Sequence, residues 1–182
     1  MLVHGDDYFP SGAKRDLDWF ESELSKQYEI QTQRLGAGTG CDTEVKILNR
    51  IVRWTARGIE MEADPRHSEL IVKQLELEGC RPISSPGVEG KDEDDLENDT
   101  TVSDEMATKY RGVVARINYL AADRPDIQYA TKEACRDMSC PTSGSLRRLE
   151  RIGKYLVGKP RLIWHFELQG PVGYVDAFAD AN

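Results

Sequence analysis

Cysteine pairs at metal-ribbon spacing are missing from this sequence. Its four cysteines, Cys41, Cys80, Cys135 and Cys140, contain no C-x-x-C, and its three histidines, His4, His67 and His165, do not cluster with them. That argues against a zinc site and points to reduced thiols in a cytosolic or nuclear, intracellular setting. No apolar run approaches the roughly 18–20 residues a spanning helix needs, so no membrane is expected. The first ten residues hold Asp6 and Asp7 and lack a basic start, which speaks against a signal peptide.

A hydrophobic content of 39% and a charged content of 31% over 182 residues describe a globular balance, with room for one ordinary domain or two small ones. The net charge of −8 disfavours a freestanding nucleic-acid binder. It is unevenly spread. Residues 109–161 carry twelve Lys/Arg against five Asp/Glu, or +7, which leaves −15 elsewhere. Much of that lies in Asp92, Glu93, Asp94, Asp95, Glu97, Asp99, Asp104 and Glu105, a composition typical of a solvated linker.

Periodicity gives a coarse map. Leu2-Val3 and Tyr8-Phe9 around Asp6-Asp7 predict a short hairpin with acids at its tip. Leu17, Phe20, Leu24 and Tyr28 predict an amphipathic helix from about Ala13 to Tyr28. The run Leu35-Gly36-Ala37-Gly38-Thr39-Gly40 reads as a loop. Glu44 to Trp54 reads as one strand, returning through Thr55-Ala56-Arg57-Gly58 to Ile59–Ala63 as a hairpin. Asp64-Pro65 starts a helix that runs to about Gly79.

An acid-, Pro- and Gly-rich linker over 81–102 then divides the chain into two halves. Ser103 caps a helix with Met106, Tyr110, Val113, Val114, Ile117 and Leu120 in its apolar stripe. Pro125 opens a second, with Ile127, Ala130, Ala134 and Met138 inward. A third carries Leu146, Leu149, Ile152 and Leu156 and stops at Gly158-Lys159-Pro160. Strands are expected at Leu162–Glu167 and Val172–Phe178.

Two sets of residues carry candidate chemistry. Adjacent carboxylates on a rigid turn, as at Asp6-Asp7, are the donors that paired Mg²⁺ ions need, although Asp also favours turns for its own sake. On the third helix, Arg147, Arg151 and Lys154 follow steps of four and three, with Arg148 beside them. Leu149, Ile152 and Leu156 take the opposing side, which leaves the basic side free. This is either a solvated face or a row of phosphate contacts. Trp19, Trp54 and Trp164 are assigned to packing, and His67 to the surface.

A longer pattern runs from Tyr110 to Gly158. Tyr110-Arg111-Gly112-Val113-Val114-Ala115-Arg116-Ile117-Asn118-Tyr119-Leu120 is followed by Arg124-Pro125-Asp126-Ile127-Gln128-Tyr129-Ala130. Met138, Pro141-Thr142 and Arg151-Ile152-Gly153-Lys154-Tyr155-Leu156-Val157-Gly158 come next. This run resembles the copia-type retrotransposon reverse transcriptases, which carry Y-R-x-L-V-G-x-L-x-Y-L-x-x-x-R-P-D-I-x-Y-A and then K-R-I-L-R-Y-L-K-G. Leu2-Val3-His4-Gly5-Asp6-Asp7 is similar to the family's paired-aspartate motif, and Gly173-Tyr174-Val175-Asp176 to the G-Y-x-D that opens its RNase H domain.

The resemblance implies an α+β chain: the end of a polymerase palm with hairpins and a thumb-like helix (1–80), an acidic linker (81–102), a helical connection (103–160) and the first strands of an RNase H-like domain (161–182). It implies RNA-directed DNA synthesis with associated RNase H, Asp6, Asp7 and Asp176 as catalytic carboxylates and Mg²⁺ ligands, and an RNA template and DNA primer as partners. The remaining Pol polyprotein segments would be further partners, and Arg147, Arg148, Arg151 and Lys154 would line the RNA–DNA hybrid. The sequence departs from the family at His4-Gly5, at Ser145 (histidine in the family) and at Asp180, whose role is open. Since another palm carboxylate, the fingers and the later RNase H carboxylates would lie outside these 182 residues, the piece is expected to be inactive alone. The alternatives are a non-catalytic nucleic-acid or protein interaction module and a translated pseudogene remnant.

Overall fold

The computed structural model describes residues 1–87, 99–170 and 173. It is mixed helix and strand, and the chain forms two compact units, Met1–Thr43 and Glu44–Asn182.

In the first unit, β1 (Leu2–His4) and β2 (Asp7–Phe9) pair antiparallel with Leu2 opposite Phe9 and His4 opposite Asp7. The two-residue loop between them is Gly5-Asp6. Gly5 has φ +61, a conformation glycine reaches without the Cβ clash that penalises other residues. Helix α1 (Lys14–Ser25) follows, three residues shorter at its end than the apolar spacing suggests, and it buries no residue fully. Arg34 ties back to it, bonding Asp18 at 2.5 Å and also Glu21.

The second unit opens with a sheet. Strands β3 (Glu44–Ile47), β4 (Arg50–Thr55) and β5 (Gly58–Glu62) form an antiparallel meander. Residues 44–54 are therefore two strands and not the single one expected. Leu48 and Asn49 make the turn, both with positive φ (49° and 66°), as a two-residue loop matched to strand twist requires. Leucine is a poor residue for that conformation, which is why the turn is hard to see in the sequence.

Strand β6 (Ile163–Glu167) pairs with β5, completing the order β3-β4-β5-β6. Gly58 makes the pairing possible. A Cβ there would lie 2.0 Å from the Phe166 carbonyl oxygen, and φ is +149.

Among the described residues, four helices lie between β5 and β6: α2 (Pro65–Gln74), α3 (Asp104–Ala121), α4 (Pro125–Arg136) and α5 (Ser143–Gly158). Their starts obey local chemistry. Asp64 accepts from the Arg66 N–H ahead of Pro65, and Ser103 accepts from the Met106 N–H. Helix α2 ends earlier than Gly79, at Gln74, and Glu76 takes the left-handed conformation (φ 58).

The core joins Ile71 of α2 to Tyr110, Val113, Val114, Ile117 and Leu120 of α3, Ile127 and Ala134 of α4, and Leu149, Ile152 and Leu156 of α5. Each aliphatic side chain so buried is worth about 1.5–3 kcal/mol. Helix α2 shares this core and β6 joins the sheet of residues 44–62, so these elements all belong to the unit Glu44–Asn182. The boundary falls between Thr43 and Glu44.

Candidate functional site

Asp6 occupies the second loop position of the first hairpin and Asp7 begins β2; both are exposed. Among the described residues, no group of three or more His, Cys, Asp or Glu side chains is arranged to hold a metal ion. Mg²⁺ keeps its waters unless nearly octahedral oxygen geometry is offered. Two neighbouring carboxylates supply part of such a donor set and do not complete it. Asp176 and Asp180, the second strand expected at Val172–Phe178, and the acidic residues Asp92 to Glu97 lie outside the described residues.

The basic residues of α5 lie along one helix, but that side of it is not left free as the sequence suggested. Arg147 is exposed. Arg148 binds Asp137 at 2.6 Å, and Lys154 binds Glu150 at 2.7 Å. The Nε of Arg151 is buried and has no hydrogen-bond partner. Leu149, Ile152 and Leu156 face the core as expected. The helix is thus a cationic row whose charge is partly neutralised inside the chain.

Residues of the long pattern serve mainly as architecture. Tyr110 is buried and donates its hydroxyl to the Ala134 carbonyl at 2.8 Å, joining α3 to α4. Burial pushes its phenol well above the usual range. Arg124 is only 1% exposed, and three sets of oxygens satisfy its guanidinium. Asp126 accepts twice, at 2.9 and 2.7 Å. The carbonyls of Lys159 and Pro160 accept at 2.8 and 3.2 Å.

Tyr155 of α5 donates to the same carboxylate at 2.8 Å. Burial alone would raise the Asp126 pKa. The hydrogen bonds from Arg124 and Tyr155 outweigh it and hold the carboxyl below its ordinary value. The R-P-D tripeptide therefore starts α4 and fastens the end of α5, delivering the chain to β6.

Two further polar anchors were not anticipated. Arg50 directs its Nε to both oxygens of Asp123, at 2.9 and 2.8 Å, and the Trp164 indole donates to the Asp123 carbonyl at 2.8 Å. Glu62, 2% exposed, is held by Arg161 and by Arg53 at 2.9 Å. Arg161 is the main cause of its lowered pKa. Each partnership spans strands or distant segments; an Arg or Glu within an apolar alternation was the only available sign.

A cavity of about 420 Å³ opens between α3, α5 and the segment that follows α2, with Leu75, Leu77, Met106 and Leu149 in its lining beside the charged Lys109 and Glu150.

Comparison with known proteins finds relatives over part of the chain. Over 77 residues, 41% of this chain, it is 40% identical to the retrovirus-related Pol polyprotein from transposon RE1 of Arabidopsis thaliana, and the match takes up 5% of that protein. The corresponding polyprotein from transposon RE2 is 42% identical over 53 residues, 29% of this chain and 4% of the relative. An uncharacterized mitochondrial protein of the same plant is 27% identical over 112 residues, 56% of this chain and 44% of the relative. No family model matches, and no solved structure matches. The chain has retrotransposon Pol polyproteins among its homologues and spans only a small part of their length.

Proposed function

We propose that this chain is a segment of the reverse transcriptase and RNase H region of a copia-type Pol polyprotein, whose parent activity is RNA-directed DNA synthesis on an RNA template and DNA primer. The observation that carries this reading is the Tyr110–Gly158 pattern. Tyr110, Val113, Val114, Ile117, Leu120, Ile127, Ile152, Tyr155 and Leu156 of that pattern are buried in one core, its R-P-D positions are hydrogen-bonded, and the relatives are Pol polyproteins. On this reading Asp6 and Asp7 are the carboxylates the chain contributes to a Mg²⁺ site completed by other donors, Asp176 belongs to RNase H, and α5 touches the backbone of the hybrid. The remaining Pol segments are its partners.

A non-catalytic nucleic-acid module is favoured as the second reading by one observation. Helices α2 to α5 share one buried core, and α5 carries Arg147, Arg151 and Lys154 along one side.

Primer extension and hybrid binding together test both. The purified protein with Mg²⁺, template–primer and nucleotides is expected to show no extension. It is expected to bind an RNA–DNA hybrid weakly, with affinity that falls with salt and is reduced in a triple Ala variant at Arg147, Arg151 and Lys154. Extension abolished by Asp6→Asn would return the chain to the enzymes. Equal binding by intact and triple-variant protein at low salt would make α5 a solvated face and remove its nucleic-acid role.

A further inference from the structure

The ion pairs on α5 are placed where they bear on that binding. With 100° between successive residues, Arg147, Arg151 and Lys154 form a narrow row along the helix. Arg148 flanks the row on one side and Glu150 on the other. Each flank carries an acid–base pair. Asp137, just past the end of α4, takes Arg148, and Glu150 takes Lys154 one turn along the same helix. Arg148 is three-quarters buried at that contact, and Asp137 is engaged by Ser145 as well. That pair belongs to the fold. The second pair does not. Glu150 and Lys154 are both more than a third exposed.

We infer that Glu150 is a built-in competitor for polyanions: its carboxylate holds Lys154 in the place a backbone phosphate would take, so nucleic acid must break this pair before the row is fully engaged. This rests on the reading of α5 as a nucleic-acid contact, and it adds the reason why such contact is weak. A surface i,i+4 pair is weak, so a phosphate competes with it and displaces it in only part of the complexes. The carboxylate nonetheless stays beside the row and repels the incoming anion. Glu150 therefore sets the affinity without abolishing binding.

The test is a salt titration of binding to an RNA–DNA hybrid by the full chain, Glu150→Gln, Glu133→Gln, Lys154→Ala and the double variant Glu150→Gln/Lys154→Ala. Glu133 pairs with Arg136 at 3.0 Å on α4, so its replacement changes net charge equally but away from the row. Glu150→Gln is expected to tighten binding about two- to fivefold and to steepen the log–log salt slope by about 0.9, one added phosphate contact. Glu133→Gln should leave both unchanged, and the gain should vanish in the double variant. Equal gains from the two glutamate variants, or a gain that survives loss of Lys154, overturns the competition and leaves only net charge. If the triple Ala variant weakens binding yet Glu150→Gln does not strengthen it, the α5 contact stands and this inference fails. If no variant binds, both fall.

Discussion

Tyr155 and Asp126, 29 positions apart in the chain, meet through a 2.8 Å hydrogen bond that lays the last turns of α5 against the first turn of α4. Asp126 in turn neutralises the buried Arg124, whose remaining N–H groups close the carbonyls of Lys159 and Pro160. One carboxylate thus fixes two helices and the exit toward β6.

Replacing Arg124 with alanine should cost about 3 kcal/mol, because it removes the partner of a partly buried carboxylate and strands two carbonyls. Urea unfolding followed by circular dichroism reads this directly. The same anchor sets an acid limit. Asp126, Glu62 and Asp64 all have folded pKa values below their ordinary ones. Their contribution is therefore complete above the unfolded carboxylate range and fades as pH falls through the folded values. Unfolding midpoints should be level near neutrality and drop below about pH 4. An Asp126→Asn variant should be less stable at neutral pH and show a shallower acid decline.

How much of this was legible in the sequence depends on whether the signal is local. The caps at Asp64-Pro65 and Ser103, and the apolar stripe from Tyr110 to Leu120, are determined within a turn or two of helix, and the structure follows them. The pairing of β6 with β5 spans about a hundred residues and has no local mark. Likewise, R-P-D announces a helix start but not the carbonyls 35 residues on. The Glu150–Lys154 pair was within reach, since acids four residues before lysines pair on helices. Taking the basic side as free passed over it.

The Leu48-Asn49 turn offers a gain in stability. Both residues hold positive φ, and an L-residue there carries roughly 1–2 kcal/mol of strain that asparagine followed by glycine relieves. The double substitution Leu48→Asn, Asn49→Gly should raise the unfolding free energy by about 1 kcal/mol without altering the far-ultraviolet spectrum. A loss of stability would mean that Leu48 contributes packing the turn geometry does not reveal.

Gly58 offers the opposite case. An alanine methyl would sit 2.0 Å from a backbone oxygen of β6, and backbone cannot step aside as a side-chain tip can. Gly58→Ala should force β6 away from β5, costing at least about 3 kcal/mol. Loss of the hydrogen bond from Trp164 to Asp123 would accompany it, seen as a change in near-ultraviolet circular dichroism. Native-like stability would show that the two strands can separate there without cost.

Ser145 stands where the resembling family carries histidine, and its surroundings here explain what serine does. It is 1% exposed. Its Oγ accepts from the Thr142 N–H at 3.1 Å and donates to Asp137 at 3.0 Å, while its own N–H reaches Thr142 Oγ1 at 3.2 Å. That is a reciprocal capping box at the start of α5, joined to the carboxylate that holds Arg148. Ser145→Ala removes the hydroxyl from both partners and should cost about 1–3 kcal/mol, the penalty for buried groups left unpaired. Thr142→Ala removes one cap bond and should cost about 1 kcal/mol. The two bonds are parts of one box, so the double variant should lose less than the sum, by at least about 0.5 kcal/mol. Strict additivity would mean that the two hydroxyls act independently and that Ser145 matters through Asp137 alone.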